Sequence, residues 1–155
     1  MKIQSLFLIL VLILQSITAC KKDVSSSEAL EGKWGRSNEW DNGYIFHEEL
    51  NFRGDGTVEI IGSVIDLKVN VTKGYLNRQT GTYTLKGDSV IYTNLKVYYT
   101  KSSSYKKMEE LGYQHTSVRY SQGVAFNSRK NELTLTYGPC NDVGNCIGPQ
   151  KYFRK

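Results

Sequence analysis

Histidine is nearly absent: the chain holds His47 and His115 and no others. No His-Glu-x-x-His, Gly-x-Ser-x-Gly, phosphate-loop or dinucleotide-binding pattern occurs, which removes the commonest routes to metalloprotease, serine-hydrolase and nucleotide chemistry. Asp and Glu are scattered, and no spacing selects a catalytic carboxylate pair. Proline occurs twice and cysteine three times. The net charge of +5 is spread thinly and forms no basic stripe, which argues against a nucleic-acid partner. Past residue 19, no apolar run approaches the ~20 residues of a spanning helix. The expectation is a chain with no catalytic residues, no metal and no cofactor: not an enzyme.

What is present begins at the N-terminus. Met1-Lys2 is a short positive start, and residues 3–17 are uncharged and dominated by Leu and Ile. About fifteen residues is short for a membrane span and right for the core of an export signal. Ile17-Thr18-Ala19-Cys20 follows and resembles the bacterial lipobox. That resemblance implies cleavage before Cys20 and acylation of Cys20, so residues 1–19 are expected to be a lipoprotein signal peptide. One acyl chain binds membranes only marginally, whereas several make detachment negligible. An uncleaved anchor, or an ordinary signal with Cys20 left over, is the alternative. Residues 20–29 are polar and Ser-rich and read as a flexible tether. Cys20 followed by Lys-Lys-Asp resembles lipoproteins of the Bacteroidota, which implies an envelope address at the outer membrane, on its periplasmic or surface face.

Removing residues 1–19 leaves 136 residues and a charge of +4, since Lys2 is the one charge lost. That length fits one domain over residues 30–155. Abundant Tyr, Thr, Val and Gly favour strands and tight turns. Phe46, Glu48, Leu50 and Phe52 alternate with His47, Glu49, Asn51 and Arg53, the period of a half-buried strand. Gly54-Asp55-Gly56 turns it, and Val58 and Ile60 continue on the same face. Ile65, Leu67, Val69 and Val71 alternate in the same way and predict a third strand. Gly81 to Thr93 reads as a hairpin about Lys86-Gly87-Asp88. Leu95, Val97 and Tyr99 continue it, Thr116 to Phe126 pairs with Glu132 to Tyr137, and Gln150 to Arg154 closes the chain. Ser102 to Ser104 can cap a short helix at about 104–111, either a covering flap or a plain connection. Eight or nine short antiparallel strands at even spacing predict an all-β fold, a small barrel or a sandwich.

Several stretches together resemble the lipocalin-like domains of bacterial lipoproteins. They are Leu30-Glu31-Gly32-Lys33-Trp34, Leu50 through Val58, Gly81-Thr82-Tyr83-Thr84-Leu85, Asn131-Glu132-Leu133-Thr134-Leu135 and Tyr152-Phe153-Arg154-Lys155. The resemblance implies an eight-stranded up-and-down barrel that can hold a small hydrophobic or amphipathic ligand. It also implies that Trp34 seals one barrel end beneath Arg154, a closure role. A helix at 104–111 departs from the family pattern, in which the helix follows the strands.

Candidate binding residues follow from the inward face. Glu48 among Phe46, Leu50 and Phe52 can orient a ligand, or can pair with an inward Arg or Lys. Phe46, Phe52, Tyr83 and Tyr99 can line a cavity or fill it. Cys140 and Cys146 predict a disulfide, since two cysteines without a nearby His are too few for a metal; closing so short a loop is worth about 2 kcal/mol. Asp88-Ser89-Val90 resembles an O-glycosylation motif at Ser89. Arg53-Gly54-Asp55 resembles an adhesion tripeptide but is explained by its turn. Two functions stay open: a ligand-binding barrel, and a filled barrel whose rim docks on an envelope protein partner.

Overall fold

A computed structural model describes residues 27–40, 43–100, 104–138 and 147–155, with the side chains of 114–118 left undescribed. Cys20, Cys140 and Cys146 lie outside these residues. The fold is a closed antiparallel barrel of eight strands in simple sequential order. The strands are β1 (Gly32–Glu39), β2 (Tyr44–Phe52), β3 (Thr57–Asp66), β4 (Val71–Lys86), β5 (Ser89–Tyr99), β6 (Gly112–Phe126), β7 (Glu132–Tyr137) and β8 (Gln150–Arg154). β1 meets β8 through Trp34 opposite Arg154 and Gly35 opposite Phe153, which closes the ring. The ring is closed at one end only: among the described residues, β1 beyond Gly35 has no registered partner in β8, and β6 before Gln122 has none in β7.

One end is packed shut. A helical turn, α1 (Ser27–Leu30), puts Ala29 and Leu30 into the barrel base. Packing therefore begins ahead of residue 30, inside the stretch read as tether. Trp34, Leu50, Phe52, Val58, Val90, Leu133 and Leu135 form the core directly above it. Phe52 meets Tyr83 edge-on at 5.0 Å. The turns at this end suit their residues: Gly56 and Gly87 take φ of 80° and 63°, the left-handed region where a Cβ is strained.

Among the described residues, the opposite end is less tightly filled. Inward positions there, including Phe46, Asn77, Gln79, Val97 and Tyr99, are only half-buried. Eight of the nine large apolar side chains that stand exposed among the described residues lie toward this mouth, Phe153 being the exception.

Two predicted elements are corrected. The strand expected over 65–71 is instead the end of β3, a turn at 67–70 and the start of β4. Asp66 Oδ1 accepts the Lys68 amide at 2.9 Å and Asn70 takes φ of 51°, so short polar side chains bend the backbone back. The alternating apolar residues are displayed: Leu67, Val69 and Val71 are each more than half exposed. The segment at 104–111 is not a continuous helix. It holds a single 3-10 turn, Met108–Glu110, because Lys106 pairs with Tyr75 of β4 through amide–carbonyl bonds of 2.7 and 3.0 Å. Gly74 permits that approach, since a Cβ there would stand 2.8 Å from the Lys106 carbonyl oxygen.

Candidate functional site

The site grows from strand register. Glu48 of β2 lies opposite Arg36 of β1 and opposite Gly62 of β3. Opposed residues of an antiparallel pair share a face, so Arg36 and Glu48 project together into the barrel. The place a side chain on Gly62 would take is filled by Asn77 and Phe46: a Cβ there would stand 2.6 Å from Asn77 Nδ2 and 2.9 Å from the Phe46 ring. Arg36 Nη2 donates to Glu48 Oε2 at 2.9 Å, with the two side chains 17% and 15% exposed. The Tyr152 hydroxyl donates to Glu48 Oε1 at 2.7 Å. Arg36 Nη1 donates to the Gln150 side-chain oxygen. The guanidinium also lies 5.4 Å from the centre of the Tyr152 ring and 5.9 Å from that of Phe46.

Tyrosines surround this pair. Tyr92 stacks on Tyr120 at 4.6 Å, and Tyr137 sits opposite Gln122. Burial pushes the Tyr92, Tyr120 and Tyr152 phenols well above their ordinary range, and the Glu48 charge pushes the same way. Burial opposes the Arg36 charge, but hydrogen bonding and attraction to Glu48 more than offset it and raise its pKa. The interior at this level is thus one ion pair in a ring of neutral phenols. Arg36 Nε and the Tyr92 hydroxyl are buried there without a hydrogen-bond partner.

The sequence-derived candidates divide. Glu48 is inward and holds Arg36, the structural partner its position allowed. Phe46 and Tyr99 are half-buried on the inward face of the open half. Phe52 and Tyr83 are not there: both are packed in the shut half, where the Tyr83 hydroxyl donates to the Arg53 carbonyl at 3.0 Å. They seal the base rather than line an opening. Trp34 and Arg154 meet as the resemblance implies, the guanidinium 4.6 Å from the indole centre. Trp34 Nε1 donates to the Leu30 carbonyl at 2.7 Å, and Arg154 to that of Ala29 at 2.8 Å. Ser89 opens β5 beside the Gly87 turn, its hydroxyl on Asp88 Oδ1 at 3.3 Å. Arg53 and Asp55 are occupied internally, by Glu59 at 3.1 Å and by the Thr57 amide at 2.9 Å.

Arg36, Gln150 and Tyr152 were missed from the sequence. The signal available was Trp34-x-Arg36: period two carries the inward face from a tryptophan to an arginine.

Outside the barrel, Ser37 Oγ lies 2.8 Å from His47 Nδ1, which has the look of a nucleophile pair. Lys155 Nζ sits 2.7 Å from His47 Nε2 and 2.9 Å from Glu49. A charged lysine makes Nε2 the acceptor, so Nδ1 carries the proton and cannot take one from Ser37. Burial and Lys155 together lower the His47 pKa and keep the ring neutral. Among the described residues no group of three His, Cys, Asp or Glu side chains could hold a metal, and no helix is long and apolar enough to cross a membrane. An open groove of about 460 Å³ at the shut end is lined by Glu28, Arg129, Lys130 and Arg154, a mixed-charge surface remote from the inner ion pair.

Compared with known protein families, with curated proteins and with solved structures, the chain matches none.

Proposed function

We propose that this chain is a lipid-anchored envelope protein whose barrel takes a small amphipathic molecule into its open half, by burial and hydrogen bonding and without bond chemistry. The observation that carries the reading is the contrast between the two halves of the inward face. The base is packed to near-zero exposure, whereas the mouth keeps polar and aromatic side chains half-exposed around Arg36 and Glu48. A barrel interior built only for stability gains nothing from an ion pair, because desolvation offsets the attraction. Ligand sites commonly combine apolar walls with a few convergent polar groups. The lipobox-like Ile17-Thr18-Ala19-Cys20 supports the anchor, and the Lys21-Lys22-Asp23 that follows supports the outer-membrane address.

Native mass spectrometry of the processed protein, released gently from the envelope, tests this. A stoichiometric adduct lost on denaturation is expected, together with an added mass for the acylated N-terminus. A bare polypeptide mass from several hosts would refute ligand binding, and an unmodified Cys20 would refute the anchor. A second reading, a rim that docks on an envelope protein, is favoured by the exposed Trp40, Leu67, Val69 and Tyr105 near the mouth. Substituting Leu67 and Val69 by Asp would then abolish co-purification of a specific partner while leaving any adduct in place.

A further inference from the structure

Among the described residues, the open half of the interior holds one guanidinium and one carboxylate, and each is spent on the other. Both Glu48 oxygens are occupied, one by Arg36 and one by the Tyr152 hydroxyl. What remains unsatisfied is of one kind. Arg36 Nε–H and the Tyr92 O–H are hydrogen-bond donors, both are buried, and neither has an acceptor. Orphaned buried donors are uncommon in folded proteins and call for an explanation. Tyr92 is fully buried at the top of the packed core, its ring 6.3 Å from Phe52 and stacked on Tyr120 at 4.6 Å, and its phenol is near enough to feel the Glu48 charge; the Arg36 guanidinium, bonded to Glu48, lies 5.4 Å from the Tyr152 ring.

We infer that the ligand enters polar end first, and that this end is an uncharged carbonyl of the amide, ketone or ester class, received by Arg36 and Tyr92. The inference rests on the reading of the open half as a ligand site. A carboxylate would bring a second negative charge beside Glu48 with one cation to share. An ammonium would bring a second positive charge and more donors to a site already short of acceptors. A carbonyl brings two lone pairs and no net charge. The half-buried Phe46 ring, 5.9 Å from the guanidinium, is the wall beside which it enters. The stacked Tyr92 and Tyr120 rings supply a flat apolar face behind.

Calorimetric titration of the processed full-length protein at pH 7 with octanamide, octanoate and octylamine separates head group from tail. Octanamide is expected to bind at least tenfold more tightly than either charged probe. Tyr92→Phe is expected to weaken octanamide about tenfold, the size of one hydrogen bond, and to leave the other two unchanged. It should also hold or raise the melting temperature, since it deletes an unpartnered buried hydroxyl; a purely structural role for Tyr92 would lower it. Arg36→Lys, which keeps the charge and removes Nε–H, gives the same loss of preference by a second route. Tighter binding of octanoate or octylamine, or an equal effect of Tyr92→Phe on all three probes, overturns the carbonyl assignment and leaves the ligand site standing. No heat with any probe and no adduct in the native spectrum overturns both.

Discussion

Removing one member of the Arg36–Glu48 pair should cost far more than removing both. With N–O contact at 2.9 Å, the charge centres are about 4 Å apart, and their attraction is about 4 kcal/mol at an effective dielectric of 20. Desolvating two groups this deep costs a similar amount, so the pair is near break-even. Arg36→Met or Glu48→Gln cancels the attraction and keeps half of the desolvation. A fully buried pair would then lose about 3–5 kcal/mol; with side chains 15–17% exposed, about 2–3 kcal/mol is expected. The double variant should return to within about 1 kcal/mol of the parent. The two singles also differ in kind. Acidification relieves Arg36→Met, because the orphaned carboxylate can take a proton, but it cannot relieve Glu48→Gln, because a guanidinium keeps its charge. Guanidinium chloride unfolding of all four proteins, at pH 7 and again at mildly acidic pH, gives the cycle. Additive single and double effects, or equal pH responses of the two singles, would refute the account of the interior as one coupled charge pair.

Other perturbations probe the frame around that pair. Trp34→Ala should cost about 3–5 kcal/mol, since the indole is fully buried and bonded to Leu30. Arg154→Ala, which loses one charged hydrogen bond and a cation–ring contact, should cost about 1–2 kcal/mol; thermal melts rank the two. Gly74→Ala should lift the Lys106 strap from β4, read as lost hydrogen-exchange protection at the Tyr75 and Lys106 amides with the rest of β4 unchanged. The buried phenols of Tyr92, Tyr120 and Tyr152 have folded pKa values above their unfolded ones. The stability they contribute is therefore complete below about pH 10 and falls as pH rises further. Tyrosinate absorbance should rise for these three only in a late step that coincides with loss of the circular dichroism signal.

The strands most legible in the sequence are those whose inward residues are apolar. Phe46, Leu50 and Phe52, with Val58 and Ile60 after a Gly-rich turn, announce β2 and β3 directly. The first half of β4 carries no such signal, because Asn77 and Gln79 occupy its inward positions. The polar lining that makes the mouth a candidate site is the same feature that erases the alternation there. The opposite error arises at 65–71, where apolar alternation marks a displayed turn. Glu48 was legible as an inward carboxylate, but its partner was not. The period-two step from Trp34 marks Arg36 as inward, but pairing it with Glu48 requires the β1–β2 register, which local sequence does not carry.

The seam between β1 and β8 carries a mechanical consequence. It is the shortest in the barrel, with two registered pairs, Trp34 to Arg154 and Gly35 to Phe153. The chain runs into β1 through α1 and out of β8 through Lys155, whose amide donates to the Lys33 carbonyl at 3.0 Å. Ser27 and Lys155 therefore both lie at the shut base, beside that seam. Tension applied through residues upstream of Ser27 would load α1 and β1 first and peel the seam like a zipper, while the mouth at the far end stays unloaded. The guanidinium of Arg154, pressed on the Trp34 indole and bonded to the Ala29 carbonyl, spans the starting tooth of that zipper and serves as its latch.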